Sequence, residues 1–179
     1  MTRGCGLLVA MAACVIATSG VHAPAQRSAM SEYAVKAAFL YNFAKFVEWP
    51  SGAPGGPIKI GILGKDPFGS TLDSTVRGKT ANGRSLVVRR LKRTRDARSC
   101  HIVFISRSEK GRLTEILTAV KGAPVLTVAD TERFAHQGGM VNFYLEQNKV
   151  RFEANVRAAR HARLTISSKL LRLAKIVRP

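Results

Sequence analysis

His101-Ile102-Val103-Phe104-Ile105 is a nearly continuous apolar run of strand length. A strand with one wet face alternates apolar and polar residues, so a run without alternation points to a strand covered on both faces, as in the parallel sheets of α/β proteins. Its surroundings repeat the pattern. Upstream, Ile58, Ile60 and Ile62 alternate with Lys59 and Gly61 and run into the turn Gly64-Lys65-Asp66-Pro67-Phe68-Gly69, after which Phe68, Leu72 and Val76 recur at helical spacing. Asn82-Gly83, two residues that accept positive φ, form a tight turn into a strand over 86–91, and 92–98 is a basic, polar connection. Downstream, Ser108 is placed to cap a helix whose Leu113, Ile116, Leu117 and Val120 make one apolar stripe, and 125–128 is the next strand.

Farther out the pattern changes at both ends. Ser31 reads as a helix N-cap with Glu32 in the first turn, and Val35, Phe39, Asn42, Phe46 and Trp49 fall on one line flanked by Ala38, Leu40, Phe43 and Val47. This predicts a mostly buried helix stopped by Pro50, followed by a Gly- and Pro-rich loop over 51–57. In the last third, a helical turn over 131–136 ends at Gly138-Gly139. Val141, Phe143 and Leu145 then face one way, as do Val150, Phe152 and Ala154, giving an antiparallel hairpin across Gln147-Asn148-Lys149. Helix returns at about 155–162 and again from Ser167, where Leu170, Leu173, Ala174 and Val177 would be buried. The expectation is a single three-layer α/β domain without internal repeats: a mixed, mostly parallel sheet flanked by helices, with a late antiparallel hairpin.

The length of 179 residues suits one domain with a real core. Residues 1–25 read as a secretory signal, with Arg3 as the positive start, an apolar stretch over 4–17 and small-x-small Ala23-Pro24-Ala25, which leaves 26–179 as the domain. That stretch is shorter than the ~20 residues a membrane span needs. The expected location is periplasmic. A second reading takes Met11-Ala12-Ala13-Cys14 as a lipoprotein site anchored through Cys14, although Met stands where Leu is usual. Cleavage removes Cys5 and Cys14, so Cys100 would be the sole thiol and no intramolecular disulfide could form.

The formal charge of +18 favours an anionic counterpart: an acidic protein face, lipid headgroups or cell-wall polymers, with nucleic acid least favoured for an exported chain. The bland reading is a solvated basic surface. The densest basic regions are 84–98, with Arg89, Arg90, Lys92 and Arg93, and the C-terminal set of Arg157, Arg160, Lys169 and Arg172, the last two also complementing a helix dipole. These are the candidate partner surfaces.

Catalytic signatures are thin. Gly78-Lys79-Thr80 resembles the end of a phosphate loop, but Asp73 occupies the position that needs Gly, and the segment follows a helix. There is no G-x-S-x-G elbow and no pair of His at metal-ligand spacing. Cys100 and His101 adjoin, yet neighbouring strand residues point to opposite faces, so a buried structural thiol is favoured over a nucleophile or redox group. Asp66 and Asp130 each follow a strand, where open α/β sheets place their binding crevice. Each would equally serve as a cap for the turn that follows. Asn42, amid aromatic residues, should tie a loop backbone to the first helix, with ligand contact as the lesser reading.

Four segments in order and spacing carry a family resemblance: Tyr41-Asn42-Phe43-Ala44-Lys45-Phe46-Val47-Glu48-Trp49-Pro50, the Gly64 to Gly69 turn, Gly138-Gly139-Met140-Val141-Asn142-Phe143, and Ser167-Ser168-Lys169-Leu170-Leu171-Arg172-Leu173-Ala174-Lys175-Ile176-Val177. Over roughly 31–177 the chain resembles the YfiR-like family of exported bacterial proteins. The resemblance implies a non-enzymatic, cofactor-free periplasmic repressor that binds the sensory domain of a membrane-bound diguanylate cyclase, lowering cyclic di-GMP and with it biofilm formation. An outer-membrane or cell-wall partner and a homodimer stay open beside it. Family members often carry paired cysteines, and this chain departs from that pattern. The alternative is a small-ligand binding protein or enzyme with a crevice near Asp66 and Asp130.

Overall fold

The structure is a computed structural model that describes Met1 and residues 23–178; the expected signal, its cleavage site and Cys14 fall largely or wholly outside the described residues. Helix α1 (Ala23–Phe46) is followed by β1 (Val47–Glu48), β2 (Ile58–Leu63), α2 (Ser70–Val76), β3 (Thr80–Ala81) and β4 (Arg84–Leu91). Then come β5 (Ile102–Ile105), α3 (Leu113–Ala119), β6 (Leu126–Ala129), β7 (Val141–Glu146), β8 (Lys149–Ala154), α4 (Val156–His161), β9 (Thr165–Ile166), α5 (Ser168–Leu171) and β10 (Lys175–Ile176). Three 3₁₀ segments, Thr94–Ser99, Arg107–Arg112 and Phe134–Gln137, fill the connections.

Eight strands form one sheet in the order β10-β8-β7-β6-β5-β2-β4-β3. The central strands β4, β2, β5, β6 and β7 run parallel, while β7–β8 and β3–β4 are antiparallel hairpins. Asn82 and Gly83 both take positive φ in the β3–β4 turn, as do Gln147 and Asn148 between β7 and β8. The expected mixed sheet with a late hairpin is thus the observed one.

Alternation along the strands divides the core in two. Ile60, Ile62, Ile102, Phe104, Leu126, Val128, Val141, Phe143 and Phe152 face a layer built from α1, α2 and α4. Leu63, Val103, Ile105, Val125 and Ala129 face a second layer made by α3 and the Thr94–Ser99 and Phe134–Gln137 turns. No residue of β7 or β8 belongs to that second cluster. The second helical layer stops at β6, and the outer hairpin shows its polar alternates, Asn142, Tyr144, Arg151 and Glu153, to a cleft instead.

Phe39 and Phe43 of α1 pack on Phe143 and Phe152 with ring centroids 5.4–6.1 Å apart, within the range of favourable aromatic pairs. The buried line of α1 is Lys36, Leu40, Phe43 and Val47, one residue along from the line expected; Val35 is exposed and Asn42 only half-buried. A rotation of 100° per residue makes a one-residue error turn the face by more than a quarter of the helix. The helix is already formed at Ala23, so Ser31 lies inside it and caps nothing. It also ends at Phe46, not at Pro50, because Val47 and Glu48 pair with Ile166 and Thr165. With Ser167 N–H donating to Phe46 O at 2.9 Å, the two terminal motifs of the family resemblance adjoin.

Two further caps and one helix differ from expectation. Ser106, not Ser108, accepts the cap hydrogen bond, from Ser108 N–H, while the Ser108 hydroxyl accepts from Lys65 N–H at 2.9 Å. The C-terminal helix is only α5, after which the chain turns into β10 beside β8; Leu173 is consequently 63% exposed where burial was expected. Gly139 answers to packing: a Cβ there would lie 2.2 Å from the Phe134 ring.

Candidate functional site

Asp130 follows directly on β6, at the carboxyl end of the parallel strands, where α/β folds gather their sites. Its side chain is 1% exposed. Oδ2 accepts from Lys36 Nζ at 2.6 Å and from Tyr33 OH at 2.7 Å. Lys36 also pairs with Glu32, one turn earlier on α1, and is itself buried. A buried charge must be paired or be expelled, and here two carboxylates hold one ammonium. Burial and the adjoining Asp130 carboxylate push the Tyr33 phenol far above its usual range, so it stays a donor. Arg107, most of its side chain in solvent, turns Nε toward the Asp130 carbonyl at 3.1 Å, with Oδ1 at 3.3 Å. Asp130 is therefore a buried ionic anchor: among the described residues its carboxylate accepts no backbone N–H, against the capping role expected of it.

Asp130 lines a cleft of about 580 Å³ whose walls include Arg107, Thr131, Arg133, Asn142, Tyr144 and Glu153. Strand register explains this company. Ala129 stands opposite Asn142, Asn142 opposite Glu153, and Glu153 opposite Lys175, a row across β6, β7, β8 and β10 on the face without a covering helix. Along that row Asn142 Nδ2 donates to Glu153 Oε2 at 3.3 Å and Lys175 Nζ meets Glu153 Oε1 at 3.3 Å. Arg133 adopts a left-handed backbone at φ 60°, a cost of the kind concentrated at binding sites.

Asp66 has a different fate. Its Oδ1 accepts from Phe68 N–H at 2.7 Å, closing the turn that was expected of it, and Oδ2 accepts from Arg90 Nε at 2.9 Å. Arg90 also bridges to Asp73, whose carboxyl the guanidinium holds below the usual range. Asp66 and Asp130 share one end of the sheet with β5 and β2 between their partners, but Asp66 is not a wall of the Asp130 cleft. Asn42 joins neither: it makes no side-chain hydrogen bond among the described residues, so the loop tie expected of it is absent.

Cys100 is buried against Gly61, Leu91 and Ala97, and burial pushes its thiol up, which disfavours the thiolate. His101 lies on the other side of the strand. Its Nδ1 accepts from Lys59 N–H at 3.1 Å, leaving the proton on Nε2 to reach Pro54 O at 2.8 Å. Burial, with Arg84 nearby, lowers its pKa.

The basic candidates separate into two groups. Arg89, Arg90, Lys92 and Arg93 lie on or beside β4 near one edge of the sheet, whereas Arg157 and Arg160 on α4 flank the other edge, sharing a cleft with Ile176 of β10. At about 4.8 Å per strand the edges are roughly 25–30 Å apart. Arg90 and Arg93 are paired with Asp66, Asp73 and Asp96; Arg89, Lys92, Arg157, Arg160, Lys169 and Arg172 are exposed and form no ion pair among the described residues.

Lys36, Arg107, Thr131, Asn142 and Glu153 were not singled out by the sequence reading. One signal was available: Lys36 heads the apolar series Leu40, Phe43, Val47, where a lysine requires a partner.

The architecture defines an α/β protein with a polar cleft at the carboxyl end of its sheet. Over residues 33–175 the sequence matches the YfiR/HmsC-like family, and the chain belongs to that family, which is regulatory rather than catalytic and associated with diguanylate cyclase control. No curated protein matches the chain. Among solved structures it is similar to an ABC domain from Streptococcus pneumonia in complex with L-Trp, at 10% identity and TM-score 0.49, covering 68% of this chain and 55% of that one. It is likewise similar to a conserved domain protein from Vibrio cholerae O1 biovar El Tor, at 11% identity and TM-score 0.49, covering 67% of this chain and 54% of that one. The chain thus spans about half the length of each.

Proposed function

We propose that this protein is an exported regulator that binds and inhibits the periplasmic sensory domain of an inner-membrane diguanylate cyclase, lowering cyclic di-GMP. The observation that carries the reading is the family match, which spans the sheet from α1 to β10. Two features support it. The exposed cations without internal partners, Arg89 and Lys92 at one edge and Arg157, Arg160, Lys169 and Arg172 in the C-terminal part, are free to meet an acidic protein face. The Arg157 group also adjoins exposed Leu173 and Ile176, the mixture of apolar and Arg side chains that interfaces favour.

Inhibition requires only that the protein bind the inactive cyclase better than the active one, and the shift is limited by that difference. Deleting the gene in a strain that keeps the cyclase should raise cyclic di-GMP, measured by mass spectrometry. Complementation with Arg157→Glu/Arg160→Glu should restore it less well than the unaltered chain. An unchanged level after deletion overturns the reading. Export is part of the proposal, and the periplasmic fraction should contain a chain that begins at Gln26.

A further inference from the structure

Three buried side-chain oxygens lack a hydrogen-bond partner among the described residues, Asp130 Oδ1, Thr131 Oγ1 and Asn142 Oδ1, and all three belong to walls of the same cleft. Each residue is only 4% exposed. Buried acceptors are normally paired, so three in one place call for a donor from outside the chain. Reorienting the Asn142 amide does not remove the need. Its Nδ2 donates to Glu153 Oε2, and exchanging the two ends would set a carbonyl against a carboxylate. Arg107 does not supply the donor to Asp130 Oδ1 either, since its Nε–H is directed at the Asp130 carbonyl.

Charge selects the kind of donor. Asp130 and Glu32 are already balanced by Lys36 and Arg107, so a metal ion or ammonium group would enter beside two cations with no net negative charge to hold it. A neutral group that donates several hydrogen bonds meets no such opposition. The opening of about 580 Å³ far exceeds one water, whose share is about 30 Å³, and lies within the range of small-molecule sites. Tyr144, half-buried, and Leu145 give it an apolar wall beside the polar floor, while Arg107, Arg133 and Glu153 add polar groups around the rim. Hydroxyls along one edge and a less polar ring face are the properties of a sugar.

We propose that the cleft beside Asp130 binds a neutral saccharide, whose hydroxyl or amide groups donate to Asp130 Oδ1, Thr131 Oγ1 and Asn142 Oδ1 while its apolar face rests on Tyr144. The site is independent of the cyclase reading and of the basic edges, so either can fail without the other.

The test is calorimetric titration of the purified protein with D-glucose and N-acetyl-D-glucosamine, beside methylammonium and calcium as charged probes. At least one sugar should bind saturably in the millimolar range or tighter. Thr131→Val, which deletes one acceptor and keeps the side-chain shape, should weaken that sugar about tenfold with an unchanged circular dichroism spectrum. Tyr144→Ala should weaken it without removing an acceptor. Absence of sugar binding up to about 50 mM, well beyond the millimolar range of weak sites, would mean that ordered water fills the cleft and would overturn the proposal. So would preference for methylammonium or calcium, or equal sugar binding by Thr131→Val.

Discussion

Asp66 and Asp130 occupy equivalent places, each just beyond the end of a parallel strand, yet the fold treats them in opposite ways. Asp66 is closed into its own turn and shares Arg90, a guanidinium 42% exposed, with Asp73. Asp130 is withdrawn from water, balanced by a lysine from α1, and left with one oxygen unmet. The pair near solvent is screened and contributes little. The interior pair is one in which loss of either member strands a charge. The lesson is that the position of a carboxylate along the chain names its neighbourhood, but the layer above it sets its energy.

The sharpest way to break this comparison is Lys36→Met. It should lower the unfolding free energy by about 3–5 kcal/mol, read by urea denaturation, because Asp130 and Glu32 would lose their buried counter-ion. A loss below about 1 kcal/mol would mean that water reaches Asp130 and that the burial contrast is false.

Next in size is Asn155→Ala. Asn155 is a buried amide satisfied at both ends, accepting from Ala158 N–H and donating to Ala135 O, each at 2.9 Å. Its removal should cost about 1–2 kcal/mol through the lost cap and the stranded carbonyl. A neutral result would show that satisfied polar groups around the cleft contribute no more than unsatisfied ones.

A gentler effect should appear with pH. The pKa of His101 is lowered in the folded protein, so below about 6.5 the unfolded chain binds the proton more readily. The stability present above that value should therefore decline as pH falls from about 7 to about 5, since protonating Nδ1 would also cost the hydrogen bond from Lys59 N–H. The His101 ring resonances, followed by NMR, should titrate below those of exposed His136 and His161. Titration at or above theirs would overturn the assignment.

The smallest change is expected at the other carboxylate. Arg90→Ala should cost below about 1 kcal/mol, and the loss should shrink in high salt, because the guanidinium is partly in solvent. A loss equal to that of Lys36→Met would erase the distinction between the two sites.

Much of the scaffold was legible. The unbroken apolar run at 102–105 announced a strand covered on both faces, and Asn82-Gly83 announced a tight turn; both are local properties of backbone and side chain. The helix face was missed by one residue, because a period of 3.6 tolerates neighbouring registers when aromatic residues crowd both. The terminal helix was overextended for a related reason: Leu173, Ala174 and Val177 have helical spacing, but pairing of β10 with β8 offered the backbone another partner.

The site was legible only in fragments. Asp130 stood out by its place after a strand, while Asn142 and Glu153 were absorbed into a hairpin pattern. They become a site because the second helical layer ends at β6, a fact of assembly that no strand carries by itself.

The sequence by itself determined where strands, turns and most helices form, for these depend on residues within a few positions of one another. It also carried the family motifs and the strong positive charge. The tertiary structure alone decided which polar groups meet. Lys36 and Asp130 lie 94 residues apart in the chain, and only the docking of α1 across the sheet brings ammonium to carboxylate and leaves the far oxygen facing an open cleft.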